Sequence, residues 1–319
     1  MYFGKRKIVL LVGWLAAALI SLAVAGCSVP VEQGQAPADL RIAVTGGVET
    51  IPLIAAGELG LFPAEGITVE LIKTAGWRET DLYLQSGAVH GALTGLSSLF
   101  RLQEQGFLVM AASESGAAYS LLAAPEQGDS LNALPNMKVA LSDNPEELFF
   151  LEELLLEYDL ALTDLQLEIA ADSTLALGAF LGNAAAAVLL PRHLEPEALA
   201  EGAVVISGSR ATDLCGGVIT FSGEALQQKE EQVASFYRAY SEAIRLLNQG
   251  SVDLGDLALT DWGYPEAFIF GGWPAMEEPR AVSREKFHIA LRWYRKQGQP
   301  ESSSPVYEGV IWRGLSRSD

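Results

Sequence analysis

From Leu40 onward, short apolar runs alternate with segments whose apolar residues recur every three or four positions. Leu40 to Val44 reads as a strand that stops at Thr45-Gly46-Gly47, and Ile51 to Phe62 as a helix that Gly60 and Pro63 bring to an end. The same alternation predicts a strand over Ile67–Ile72 and a helix over Trp77–Ser86. A strand over Gly91–Thr94, a helix over Leu96–Gln105 and a strand over Phe107–Ala112 follow. Strands and helices in strict alternation, with short connections, imply βαβ units and a mainly parallel sheet.

The pattern then restarts. Tyr119–Ala123 is a strand that leaves the first unit, and a loop-rich stretch from Pro125 to Pro135 follows. Lys138–Leu141 is a strand and Pro145–Tyr158 a helix, with Asn144 as its N-cap, Pro145 at the first helical position and Glu146 and Glu147 near the positive end of the dipole. Leu165–Ala170, Ala184–Leu190 and Val204–Ser207 read as further strands, and Val218–Phe221 brings the chain back. The remainder is helical over Ala225–Asn248 and again over Arg284–Lys296. Two α/β units joined by two crossings predict a first lobe, residues 39–123 and 222–319, interrupted by a second, residues 124–221. Such a body is hinged, with a ligand cleft between the lobes.

The first residues stand outside this pattern. Lys5, Arg6 and Lys7 precede an apolar run from Ile8 to Ala25, and Val24-Ala25-Gly26 places small residues directly before Cys27. This order resembles a bacterial lipoprotein signal over residues 1–26, in which Cys27 receives lipid and becomes the first residue. A transmembrane anchor is the alternative, since 18 mostly apolar residues just span a bilayer. Residues 27–38 then read as a flexible polar tether. Loss of the three basic residues would move the net charge from −19 to −22 over 293 residues. Acyl chains, at about 0.8 kcal/mol per buried CH₂, would hold even so acidic a body at a membrane.

With 21 Lys+Arg against 40 Asp+Glu, the chain lacks the clustered cations that nucleic acid requires. Two cysteines cannot form a disulfide framework, and three scattered histidines argue against a zinc site. Cys215 has no partner if Cys27 is lipidated, and its apolar setting reads as that of a small buried residue. Neither a Gly-x-Ser-x-Gly elbow nor a Walker phosphate loop occurs. The expectation is a protein with no catalytic residues, no metal and no cofactor.

Several motifs resemble bacterial extracytoplasmic solute-binding proteins of ABC importers, in the branch that takes nitrate, taurine, alkanesulfonates and thiamine-precursor pyrimidines. Ala56-Gly57-Glu58-Leu59-Gly60-Leu61-Phe62 matches the branch's AxxxGLF helix. Glu65-Gly66-Ile67-Thr68-Val69-Glu70-Leu71 matches its second strand, and Leu84-Gln85-Ser86-Gly87 the step before its third. The resemblance implies a two-lobed, type II periplasmic-binding-protein-like α/β fold. It also implies a monomeric receptor working outside the cytoplasm with a permease and an ATPase. Two positions depart from the pattern: the family usually has Asp before the third strand and at the matching second-lobe step, where this chain has His90 and Ala185.

Ligands of open α/β sheets bind beyond the carboxyl ends of the strands, where helix starts also present unpaired N–H groups. The segments in that position supply the candidate ligand-binding residues. They are Thr45, Gly46 and Gly47 after the first strand; Gly76 and Trp77 after the second; Thr94, Gly95 and Ser97 after the third; Ser142 and Asn144 in the second lobe. Trp77 could stack on a planar or cationic solute, or serve only as a hydrophobic staple. Arg192 could pair with an anion or lie solvated at the surface. Trp262, Tyr264 and Trp273 could line the cleft or pack beneath it, and packing is the favoured reading. The solute class stays open between a sulfonate, a nitrate-like anion and a heterocycle. A sensor that docks a membrane receptor, or an enzyme on the same scaffold, is the alternative function.

Overall fold

A computed structural model describes residues 37–128, 130–208, 217–271, 275–298 and 305–317. The leader, Cys27, nearly all of the tether, Cys215 and Trp273 lie outside these residues. The body from Ala38 to Asp319 forms one compact unit.

Its first sheet contains β1 (Leu40–Val44), β2 (Val69–Lys73), β3 (Gly91–Gly95), β4 (Val109–Glu114) and β10 (Gly217–Ser222), in the order β2-β1-β3-β10-β4. The second contains β5 (Tyr119–Ala123), β6 (Lys138–Ser142), β7 (Gln166–Ala170), β8 (Ala187–Pro191) and β9 (Val204–Gly208), ordered β7-β6-β8-β5-β9. In each sheet four strands run in one direction. The fifth, β10 in one and β5 in the other, enters antiparallel from the opposite lobe. The two-lobed α/β architecture is therefore as expected, but its seams shift by one strand. Tyr119–Ala123, placed with the first lobe by the sequence pattern, pairs with β8 and β9 in the second sheet. Residues 217–221, placed with the second, pair with β3 and β4 in the first. An apolar strand carries no mark of which sheet it joins.

Seven principal helices cover the sheets: α1 (Ile51–Glu58), α2 (Trp77–Ser86), α3 (Leu96–Glu104), α4 (Pro145–Leu156), α5 (Ser173–Leu181), α6 (Glu230–Asn248) and α7 (Arg284–Lys296). The helix expected to run to Phe62 ends at Glu58, because Gly60 takes a left-handed φ of 69° and starts a separate turn over Leu61–Ala64. The long helix expected from Ala225 is likewise divided at Lys229, whose backbone (φ −129°, ψ 32°) leaves the helical region.

α6 buries Phe236 against Phe62 at 5.8 Å and Phe221 at 5.6 Å, which fixes it on one face of the first sheet. On the other face, α7 sets Phe287 and Tyr294 against Phe100 of α3, at 5.2 and 5.5 Å. Each aromatic pair contributes about 0.5–1.5 kcal/mol beyond its area. α7 also reaches the second lobe, where Trp293 donates to Glu152 at 2.8 Å and packs edge-on to Phe149. Among the described residues no helix is long and apolar enough to cross a membrane.

His90 accounts for its own departure from the family pattern. Its Nδ1 accepts the Arg41 backbone N–H at 2.9 Å, the bond that a carboxylate oxygen there could make. Burial, the largest cause, pushes its pKa down, which keeps that nitrogen an acceptor. Ala185 is buried and offers no such group.

Candidate functional site

The carboxyl ends of β1, β2 and β3 face those of β6, β7 and β8 across a cavity of about 240 Å³. Nine sequence-derived candidates line it: Thr45, Gly46, Gly47, Gly76, Trp77, Thr94, Gly95, Ser142 and Asn144. Two do not. Ser97 is buried and contributes through its backbone, while Arg192 gives its N–H to the Ala118 carbonyl at 2.9 Å and stays off the cavity wall. The neighbours Ser98 and His193 line it instead.

The glycines divide into two kinds. A Cβ on Gly46 or Gly76 would meet nothing within 4 Å, so these two leave backbone open to the cavity. A Cβ on Gly47 would stand 2.1 Å from the carboxylate of Glu49, and one on Gly95 2.1 Å from that of Glu146. Those two glycines make room for acids of the chain itself.

Glu146 and Glu147 open α4 and read in sequence as solvated acids favoured by the helix dipole. Folding buries both, Glu146 to 6 % exposure and Glu147 to 0 %. Glu146 Oε1 crosses to the first lobe and accepts the Ser97 N–H at the start of α3, at 2.9 Å. Glu147 stays within its lobe, accepting from the Ser142 N–H and the Ser173 hydroxyl, both at 2.8 Å. Burial is the main cause that pushes both carboxyls, and that of part-buried Glu49, up to about 7. His193 is pushed down to about 4 by burial alone.

The helix starts expected to receive a ligand are thus partly occupied by side chains of the chain. Besides Glu146 on α3, Asn144 Oδ1 caps α4 through the Glu146 N–H, and Asp172 caps α5 through the Leu175 N–H at 2.8 Å. Just ahead of α2, Glu79 accepts from the Ala75 N–H at 2.7 Å. Trp77 is also engaged. The guanidinium carbons of Arg78 and Arg101 lie over its ring at 4.3 and 4.4 Å, and its Nε1 donates to the Asp143 carbonyl at 3.2 Å. Arg78 also pairs with Asp143, so α2 of the first lobe is tied to the loop after β6 of the second.

Tyr264 is buried below this site and its hydroxyl donates to the Gly47 carbonyl at 2.7 Å, holding the loop after β1. Trp262 packs on the first-lobe core, as expected. No group of three or more His, Cys, Asp or Glu side chains suited to a metal occurs among the described residues.

A model of the NMT1-like family matches residues 33–149, the stretch holding the first lobe's opening units. No curated protein matches the chain. Among solved structures, the periplasmic aliphatic sulphonate-binding protein SsuA from Escherichia coli is similar at a TM-score of 0.73 and 16 % identity, over 88 % of this chain and 99 % of that one. The alkanesulfonate-binding protein SsuA from Xanthomonas axonopodis pv. citri, bound to MOPS, gives 0.70 and 16 %, over 87 % and 99 %. The periplasmic nitrate-binding protein NrtA from Synechocystis PCC 6803 gives 0.64 and 14 %, over 87 % of each chain. The expected likeness to the sulfonate and nitrate branch is found, and the fold is that of periplasmic binding proteins. These neighbours are transport binding proteins rather than enzymes.

Proposed function

We propose that this protein is the solute-binding component of an ABC import system, a monomer that works outside the cytoplasm and is anchored to the membrane by lipid on Cys27. It would capture a small solute between its lobes and deliver it to a permease with its ATPase. One observation carries the solute-binding reading: six parallel strand ends, three from each lobe, converge on one cavity. A ligand touching both walls favours the closed arrangement over the open one, and shifts the population accordingly. The structural neighbours named for sulfonate and nitrate support small solutes as the class. The order of basic, apolar and small residues before Cys27 supports the anchor.

A thermal-shift screen of the purified protein against small sulfonates, nitrate, pyrimidines, amino acids and amines tests the reading. A true ligand at a hundredfold excess over its Kd adds about 2.7 kcal/mol to folded-state stability. A folded, ligand-free sample whose midpoint no solute raises would count against it. Cys27→Ser should release the protein from the membrane fraction, and retention there would favour a spanning anchor.

A further inference from the structure

The cavity wall is acidic. Glu49, Asp143, Glu146, Glu147 and Asp172 line it, and among the described lining residues none is Lys or Arg. Two guanidinium groups beside the cavity are already paired, Arg78 with the lining Asp143 and Arg101 with Asp81, the latter at 3.0 Å through Nε. An oxyanion entering this space would meet carboxylates. It would also find the Ser97 and Ser142 N–H groups and the Ser173 hydroxyl already donating to Glu146 and Glu147.

Two lining side chains each keep a buried polar atom without a partner. Glu146 keeps Oε2 buried with no hydrogen-bond partner, although its other oxygen is bonded. His193, across the cavity on the turn after β8, keeps Nδ1 buried and unpartnered. Buried polar atoms without partners are destabilising, so a ligand donor that reaches them is favoured. A donor bearing positive charge would also offset the carboxylates that burial has stripped of water. The cavity has room for about eight waters, which fits a small solute.

We propose that the solute carries a protonated nitrogen, an ammonium or amidinium group on a small body, and that Glu146 Oε2 is its principal partner. This inference rests on the solute-binding reading above and names the charge of the ligand. It sets the chain apart from the sulfonate- and nitrate-binding proteins whose fold it shares. Glu146 takes, at the start of α3, a place that an anionic ligand could otherwise fill.

The test uses the purified full chain and three sets of probes matched in size: small amines and amidines, including benzamidine; their neutral isosteres, including benzamide; and sulfonates, including taurine and benzenesulfonate, with nitrate. Titration calorimetry reads binding to the wild type and to Glu146→Gln, with Glu49→Gln as a second variant should the first unfold. At least one cationic probe is expected to bind, its neutral isostere at least tenfold more weakly, and either variant to weaken the cation at least tenfold. Binding of a sulfonate or nitrate with no cation bound, or cation binding unchanged in the variants, would overturn the inference and leave solute binding standing. If none of the three sets binds, the inference falls, and the wider thermal-shift screen decides the solute-binding reading.

Discussion

Glu146 of the second lobe accepts the backbone N–H of Ser97 in the first at 2.9 Å, and the bond exists only because residue 95 has no side chain. A methyl group on Gly95 would stand 2.1 Å from that carboxyl, so Gly95→Ala must displace it. Loss of this charge-assisted bond is expected to cost about 1.5–3 kcal/mol and to loosen the lobes. Thermal unfolding and the radius of gyration from small-angle scattering would read both effects. Gly46→Ala is the control, since its new Cβ meets nothing within 4 Å. It should leave the unfolding midpoint in place while narrowing the cavity.

Burial of the three cleft carboxyls makes stability depend on pH. Each is held at about 7 in the folded chain against an ordinary value of 4.5, so the folded state binds the proton more tightly between those values. Stability therefore falls as pH rises through that window, by at most about 1.4 kcal/mol per pH unit for each group. His193 acts oppositely. Its pKa near 4, against an ordinary 6.5, makes stability rise with pH until about 6.5. Above that the carboxyls act alone. The unfolding midpoint should drop between pH 6.5 and 7.5, with a flatter slope in Glu147→Gln. A midpoint that climbs through this interval would mean that the carboxyls ionise earlier.

Glu114, at the end of β4, binds the segment after residue 275 to the first lobe. Arg280 Nε and Lys286 Nζ both donate to its Oε2 at 2.9 Å, and the Glu114 side chain is only 8 % exposed. Glu114→Gln takes away the charge that the two cations share. The expected loss is about 3 kcal/mol, nearly all through buried Lys286, because the half-exposed Arg280 is well solvated. Urea titration checks it, and a change below about 0.5 kcal/mol would show the cluster to be stabilised by other contacts.

At position 90 the acceptor, not the imidazole, is what the fold uses. His90→Ala leaves the Arg41 N–H unanswered and should cost about 1–3 kcal/mol. His90→Asp supplies an oxygen in the same direction and should recover most of that loss. Equal destabilisation by the two variants, measured in urea, would point to ring packing instead.

The elements most readable in the sequence are those with both a period and a punctuated start. α2, β5 and α7 begin and end at the residues expected, and α4 starts where Asn144-Pro145 places it. α5 is not legible in the sequence, because Ser173–Leu181 is small or apolar on nearly every face, leaving no polar stripe to set a period. Asp172, which caps it, was the available signal. The loops at the strand ends were also readable, because Gly and Thr cluster there. The acids among them were not. Asn144-Pro145-Glu146-Glu147 reads as an ordinary charged helix start, and only the opposite lobe, brought over it by tertiary folding, turns those carboxyls into buried groups. Likewise nothing local to Trp77 reveals that two arginines already cover its ring.

Thr94 and Thr220 share a hydroxyl–hydroxyl hydrogen bond of 2.8 Å across β3 and β10, though 126 residues separate them. β3 and β4 are thus made early, with the strand that belongs between them still to come. A chain threaded out from its N-terminus can pair β5 with β8, and so finish much of the second lobe, before the first has the strand between β3 and β4. The lobe that is first in order of synthesis is last to close. A fragment stopping short of Gly217 holds two strand edges facing an unfilled gap, an invitation to proteases and to pairing with other chains. Fragments stopping on either side of that residue should therefore differ sharply in survival, although they differ by only one strand in length.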